Sequence, residues 1–304
     1  MIDYHCHLLP GLDDGPQTVS ESLDMARQLA AFGFREVCCT PHCIKGHYEI
    51  SPVEVRNEVR RLQSCFAGEG IPLLLHSGME YYLDEFFEQF AGNLLPLGES
   101  RLVLCEAPPQ AHPGLVVEMI DLIVVQGFVP LIAHPERSDV IWDLLENQGL
   151  GTGDSGLEHK DRGLGAGGSG LDQTQDKSWQ EQPRAAKPFW KRLISARFFS
   201  SPQPPAPSPQ HLAPDLPDLP DISLFQANLG SFAGFYGVKP QRRAYELLQR
   251  GVYNCLASDL HDARSASQYL EIAREKLNFN PALQKLGEFK APPGDGGGRQ
   301  LGFW

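Results

Sequence analysis

Histidine, aspartate and glutamate recur in this chain at spacings that bring them together. The first instance is "IDYHCH", residues 2–7, where Asp3, His5 and His7 alternate with Ile2, Tyr4 and Cys6. Side chains two apart on a strand leave the same face, so His5 and His7 stand side by side. Such a pair is either solvated on an edge strand or shared by one metal ion, and the rest of the chain separates these readings. Comparable residues close the other apolar runs. His42 follows "REVCCT", Glu80 follows "PLLLHSG", Glu106 ends "RLVLCE" and His134 ends "VPLIAH". Asn228 ends "SLFQAN", and Asp259 ends "YNCLASD" with His261 two residues on. Imidazole plus carboxylate, with no thiolate enlisted, suits Mn, Fe or Zn and is too rich in nitrogen for a dedicated Ca or Mg site. The donors outnumber what one ion takes, so two or three ions sharing a bridging carboxylate is the economical arrangement.

The cysteines test one chemistry directly: were the chain to hydrolyse phosphate esters, it would not do so through a cysteine nucleophile. A thiolate that attacks phosphorus works with an arginine in a Cys-x5-Arg loop. Six positions after Cys6, Cys38, Cys39, Cys43, Cys65, Cys105 and Cys255 stand Leu12, Ile44, Lys45, Glu49, Ile71, Ala111 and His261, none of them arginine.

The elements that must hold these residues are legible. Between several of the seven apolar runs lie helices with marked ends. Thr18 and Glu21 form a capping box before "VSESLDMARQLAAFGF", and Ser51, Pro52 and Glu54 supply an N-cap, an N1 proline and an N3 acid before "VRNEVRRLQSCF". Gly127 and Gly251 stand where C′ glycines belong. Alternating strands and helices make a parallel sheet covered by helices, and seven units point to an α/β fold that is a closed or nearly closed (β/α) barrel. Sites of such barrels are built at the C-terminal rim of the strands, where the metal-capable residues fall. His5 and His7 thus begin a ring of ligands.

Composition narrows the rest. The formal net charge of −12 and a pI near 5.3 exclude the basic footprint of a nucleic-acid binder. No apolar run approaches the ~18–20 residues of a membrane span, and "MIDYHCH" lacks the basic and apolar regions of a secretory signal. Seven cysteines without framework spacing read as reduced thiols in a cytoplasmic protein.

At "DYHCHLLPGLDDGP", "TPH", "GMEYY", "CEAP", "IAHPER" and "ASDLH" the chain resembles the PHP (polymerase and histidinol phosphatase) metallohydrolases. Within these it is similar to the bacterial manganese-dependent protein-tyrosine phosphatases of capsule and exopolysaccharide operons. The resemblance covers residues 1–149 and 222–262. It implies a distorted seven-stranded (β/α) barrel of PHP type with a trinuclear centre, Mn2+ being the implied ion and Fe or Zn the alternatives. Carried over by position, His5, His7, Glu106 and Asp259 hold one ion; Glu106 bridges to a second, which also takes Glu80 and His134; Asp14, His42 and His261 hold the third. Arg137 matches the arginine that grips phosphate. Arg264 stands near a second such arginine, at a shorter spacing than the family shows. The implied substrate is a phosphotyrosine protein, an autophosphorylating, membrane-associated tyrosine kinase of polysaccharide export. A PHP phosphatase for a small molecule such as histidinol phosphate, and a metal-binding regulatory module without catalysis, are the alternatives.

The remaining histidines are assigned to structure: His76 to packing, and His47, His112, His159 and His211 to the surface. Cys6 faces the core, Lys45 and Tyr48 belong to a solvated loop, and Asn228 orients a ligand or water rather than binding metal. Residues 151–221, with "GTGDSGLEHKDRGLGAGGSG" and "SPQPPAPSPQHLAPDLPDLPD", read as a disordered insertion within a domain spanning 1–289. Residues 290–304 read as a flexible tail. Inside the insertion, "KPFWKRLISARFF" at 187–199 is basic and aromatic. It is either a short helix packing on the barrel, an unstructured stretch, or a contact with an anionic membrane.

Overall fold

In the computed structural model of the protein, residues 1–147 and 219–294 are described. The segment 187–199 and all of the insertion before residue 219 lie outside them. The strands are β1 (Ile2–Cys6), β2 (Glu36–Cys39), β3 (His42–Cys43), β4 (Leu74–Ser77), β5 (Glu80–Tyr82), β6 (Leu102–Glu106), β7 (Val129–Ile132), β8 (Leu224–Asn228) and β9 (Cys255–Ala257). The longer helices are α1 (Val19–Phe32), α2 (Pro52–Glu69), α3 (Pro113–Val125) and α4 (Asp139–Asn147) before the insertion. After it come α5 (Leu219–Ile222), α6 (Leu229–Ala233), α7 (Val238–Gln249), α8 (Ala263–Phe279) and α9 (Pro281–Leu286).

The helix ends form as their sequences dictate. Thr18 and Ser51 accept from the backbone N–H groups of Glu21 and Glu54, and both glutamates return the bond to the cap, closing two capping boxes. The helices stop at Gly33 and Gly70, which take φ of 119° and 66°, a region that costs residues with a Cβ. Each helix then turns an apolar stripe inward: Met25, Leu29 and Phe32 from α1 and Val55, Leu62 and Phe66 from α2 join β-strand residues in one buried core.

All strand pairs are parallel, in two sheets with the orders β1–β2–β4 and β3–β5–β6–β7–β8–β9. Together they form a half-barrel of parallel strands within a mixed α/β fold. The seven apolar runs seen in sequence supply β1, β2, β4, β6, β7, β8 and β9, while β3 and β5 are two further short strands just past the second and third runs, in the other sheet from β2 and β4. Between β2 and β3, the Thr40 hydroxyl accepts from the Cys6 N–H at 3.0 Å, and Pro41 has no N–H to give to a ladder. Between β4 and β5, Gly78 passes so close to Leu97 that a Cβ would lie 2.5 Å from its Cδ2. Beyond the end of β9, the Asp259 N–H donates to the His5 carbonyl at 2.8 Å and the His7 N–H to that of Leu260 at 3.0 Å.

Residues 291–294 are tied down: the Ala291 N–H donates to the Tyr4 hydroxyl at 3.0 Å, and Gly294 to the Glu99 carbonyl at 2.8 Å. The reason is the aromatic edge contact of Phe289 with Tyr4, with ring centroids 5.5 Å apart. Residue 219, read as insertion, begins α5 with Leu219 fully buried.

Candidate metal centre

The ends of the strands deliver nine donors to one place. His5 and His7 come from the end of β1, and His42 and Glu80 are register partners across β3 and β5. Glu106 closes β6, His134 follows β7, and Asp259 and His261 follow β9. Asp14 arrives on the loop after β1. Four groups of donor atoms lie within 4.8 Å of one another: His7, Asp14, His42 and His261; His5, His7 and Glu80; His5, His134 and Asp259; His42, Glu80 and Glu106. These contain every ligand named from the sequence. The shared carboxylate among them is Glu80, which stands 3.2 Å from His5 Nε2, 2.9 Å from His42 Nδ1 and 3.3 Å from His134 Nε2. Glu106 is close to His42, at 3.5 Å, and farther from His134, at 3.9 Å.

The donors fit metal better than they fit each other. His42 Nδ1 and both Glu80 oxygens are buried, and none is aligned for a hydrogen bond with its neighbours. Buried polar atoms left so cost about 1–3 kcal/mol each, which a cation removes. His7 Nδ1 lies 2.6 Å from Asp13 Oδ2, and His5 Nδ1 lies 3.3 Å from Gln226 Oε1. Both outer nitrogens therefore carry their protons, and the two inner Nε2 lone pairs face each other at 3.0 Å. Such an arrangement repels itself unless a positive charge lies between. Outer-side partners of this kind fix the tautomer and direction of metal-binding imidazoles.

The backbone is strained at two of the donors. Among described non-glycine residues only His134, at φ 32°, and Asp259, at φ 52°, take positive φ. Each such residue costs of order 1–3 kcal/mol, and here the cost turns a side chain from the strand end toward the cluster.

Electrostatics follow the crowding. Burial opposes each charge, yet His5, His42 and His134 hold the Glu80 carboxyl well below its ordinary range. Burial first, and the charge of Glu80 next, push Glu106 up to about 8. His5 and His7 are buried but are raised by Glu80 and Asp259 and by Asp13 and Glu80, respectively. Burial and the nearby Arg137 lower His134 to about 4.

Arg137 ends the turn after His134, and its Nη1 donates to Asp259 Oδ2. Arg264 lies exposed near the start of α8. Cys6 is buried in the core. Asn228 Nδ2 donates to Asp259 Oδ2 at 2.8 Å. His76 pairs with Glu36 at 2.8 Å, and His112 caps α3; His159 and His211 lie outside the described residues. Lys45 pairs with Glu49, while Tyr48 stacks on His42 with centroids 5.8 Å apart.

Sequence reading missed two supporting residues, Gln226 beside His5 and Asp13. The Asp13 carboxylate accepts from His7, from the His42 N–H at 3.0 Å and from the Gly15 N–H at 3.0 Å. Against the cost of burial, these partners hold its pKa near 2. Gly15 permits the approach, since a Cβ there would lie 2.6 Å from the His7 carbonyl. "LDDG" was the available signal. Asp13→Ala is expected to weaken Mn binding by about 10–100-fold in competition with a fluorescent chelator. Unchanged affinity would reduce Asp13 to a loop strut.

Comparison with known proteins bears on the same residues. Residues 1–148 match the family described as "Capsular polysaccharide synthesis, CpsB/CapC". The tyrosine-protein phosphatase YwqE of Bacillus subtilis (strain 168) is 35% identical over 152 residues, 49% of this chain and 59% of that protein. The tyrosine-protein phosphatase CpsB of Streptococcus pneumoniae is 30% identical over 154 residues, 48% of this chain and 60% of that one. The chain thus spans somewhat over half the length of the curated relatives it matches. A crystal structure described under YwqE from Bacillus subtilis and CpsB from Streptococcus pneumoniae, "unique metal-dependent tyrosine phosphatases", aligns with a TM-score of 0.63. The alignment is at 22% identity and covers 96% of this chain and 98% of that one. In sequence over residues 1–148, and in fold well beyond them, the chain resembles the CpsB/CapC tyrosine phosphatases.

Proposed function

We propose that this chain is a metal-dependent protein-tyrosine phosphatase. The observation that carries the reading is the convergence of nine donors, with buried nitrogen and oxygen atoms unmatched by each other, beside an arginine at the same rim. The ions we assign are Mn2+, two or three in number, held among His5, His7, Asp14, His42, Glu80, Glu106, His134, Asp259 and His261, with Glu80 as the carboxylate shared between them. When bound, they supply Lewis acidity and lower the pKa of water toward neutrality. The chain's own part is binding and orientation. Arg137 offers in-plane N–H pairs to phosphoryl oxygens, and Arg264 is proposed to meet the substrate from the edge. A phenolate leaves with a pKa of about 10, so a tyrosine phosphate needs little help from an acid. No phosphocysteine is involved.

The seven sequence-level strands are proposed to act as one distorted barrel, with β2/β3 and β4/β5 each a single interrupted strand and the backbone bonds between His5, His7 and residues 259–260 as its seam. The domain is taken as 1–289 with an insertion at 151–221. The similarity to a capsular polysaccharide synthesis family supports an autophosphorylating tyrosine kinase as substrate, met at the membrane by a cytoplasmic enzyme. Among the described residues no helix is long and apolar enough to cross a membrane.

Side-by-side turnover of a phosphotyrosine peptide and histidinol phosphate by the Mn-loaded chain tests the reading. The peptide is expected to be hydrolysed at least about tenfold faster in kcat/KM, a transition-state difference of ~1.4 kcal/mol. A preference for histidinol phosphate would make it a small-molecule phosphatase, and turnover of neither would leave a metal-binding module.

A further inference from the structure

We propose that Tyr236 is a positioning residue that presents Arg137 to the phosphoryl group, and that the turn carrying it is built for this. The proposal rests on the phosphatase reading above. The Arg137 guanidinium lies over the Tyr236 ring, its carbon 4.1 Å from the centroid. A ring on the flat face of a guanidinium leaves the in-plane N–H groups free. Of these, Nη1 is committed to Asp259 Oδ2, and among the described residues the guanidinium makes no other hydrogen bond. The Arg137 side chain is 32% exposed, so its remaining donors can reach a ligand.

Tyr236 is itself fixed from three sides. Its hydroxyl donates to Asp259 Oδ2 at 3.3 Å, the same oxygen that receives Arg137. Its ring meets Phe235 edge-on, with centroids 5.1 Å apart, and Phe235 in turn packs on Tyr269 at 5.1 Å. Beneath it runs the backbone of α6, where a Cβ on Gly230 would lie 2.7 Å from Tyr236 Cε2. Phe235 and Tyr236 stand between Gly234 and Gly237, at φ 80° and 93°. That conformation is cheap for glycine alone, and it folds the short α6–α7 connection back over the turn that holds Arg137. A tyrosine serving the core alone has no need of a hydroxyl on a buried carboxylate or a ring under an exposed cation. An arginine held in one rotamer loses less freedom when phosphate arrives.

The test uses the Mn-loaded full chain and inorganic phosphate as the probe. Tyr236→Leu is expected to weaken phosphate binding by calorimetry about 5–10-fold, the range of a partly desolvated cation–π contact. It should raise KM for p-nitrophenyl phosphate by a similar factor, with a smaller fall in kcat. Tyr236→Phe keeps the ring and should recover most of the loss. Gly230→Ala, which displaces the ring without altering it, should reproduce the loss in part. In an Arg137→Ala background, Tyr236→Leu should change phosphate binding less than about twofold, because coupled residues are not additive. An equal loss in both backgrounds, or loss of Mn in step with the loss of phosphate, would overturn the proposal. So would phosphate binding by Tyr236→Leu equal to that of the parent chain. A parent chain that hydrolyses no phosphate ester would instead overturn the phosphatase reading.

Discussion

Exhaustive chelation is expected to abolish hydrolysis of p-nitrophenyl phosphate by this protein, and added Mn to restore it, while iodoacetamide leaves it intact. The first half follows from the donor cluster, whose unmatched buried atoms and facing lone pairs call for cations that the arginines at the rim do not replace. The second follows from the cysteines. Six of the seven are buried, burial raises thiols such as Cys6 and Cys38 well above their ordinary pKa, and no thiolate nucleophile results. Reloading should also release protons. Glu106 is raised to about 8 by burial and the charge of Glu80, so at neutral pH it holds a proton that an ion must expel. Affinity for Mn should therefore climb as pH rises through 8 and fall on the acid side, and calorimetric heats should depend on the buffer's ionisation enthalpy. Activity that survives chelation but dies on alkylation would remove the metal centre from the mechanism.

Replacing Arg137 by alanine is expected to cost ~2–4 kcal/mol in kcat/KM, the scale of losing one donor to a charge that develops in the transition state. Metal content should persist. Arg137 touches Asp259 through Oδ2, whereas Oδ1 faces His5 at 3.3 Å and His7 at 3.6 Å, so the ligand-facing oxygen loses no neighbour. Normal turnover per bound ion accompanied by poor metal retention would instead make Arg137 a strut for Asp259.

Much of this site was legible in the sequence because parallel strands end at one rim, and a side chain at a strand end needs only the strand to be placed. His134 and Glu106 are of this kind, and the capping boxes at Thr18 and Ser51 are equally local. What was not legible depends on the return path of a loop. Asp13 reaches His7 only because the chain doubles back at Gly15, and a paired aspartate before glycine reads as an ordinary turn. Gln226 alternates along β8 as a core residue would, and nothing local shows that it supports His5 and the His134 N–H. Nor does any local pattern rank Glu80 above Glu106 as the shared carboxylate. The rank comes from the register of β3 against β5. Pro41 stands at the break between β2 and β3, but the Thr40 hydroxyl that fills it belongs to a contact with β1.

The backbone bonds joining His5 and His7 to residues 259 and 260 also set the order in which the molecule assembles. One donor group takes His5 from the first strand, His134 from the middle and Asp259 from the last, so no local hairpin or strand–helix unit holds it whole. The entropy of closing so long a loop must be met before any of these contacts exists. An ion arriving early finds only fragments of a site, such as His5 and His7 alone. Ions held by this group would therefore bind last in folding rather than nucleate it, and would act as a latch that slows opening of a chain already assembled.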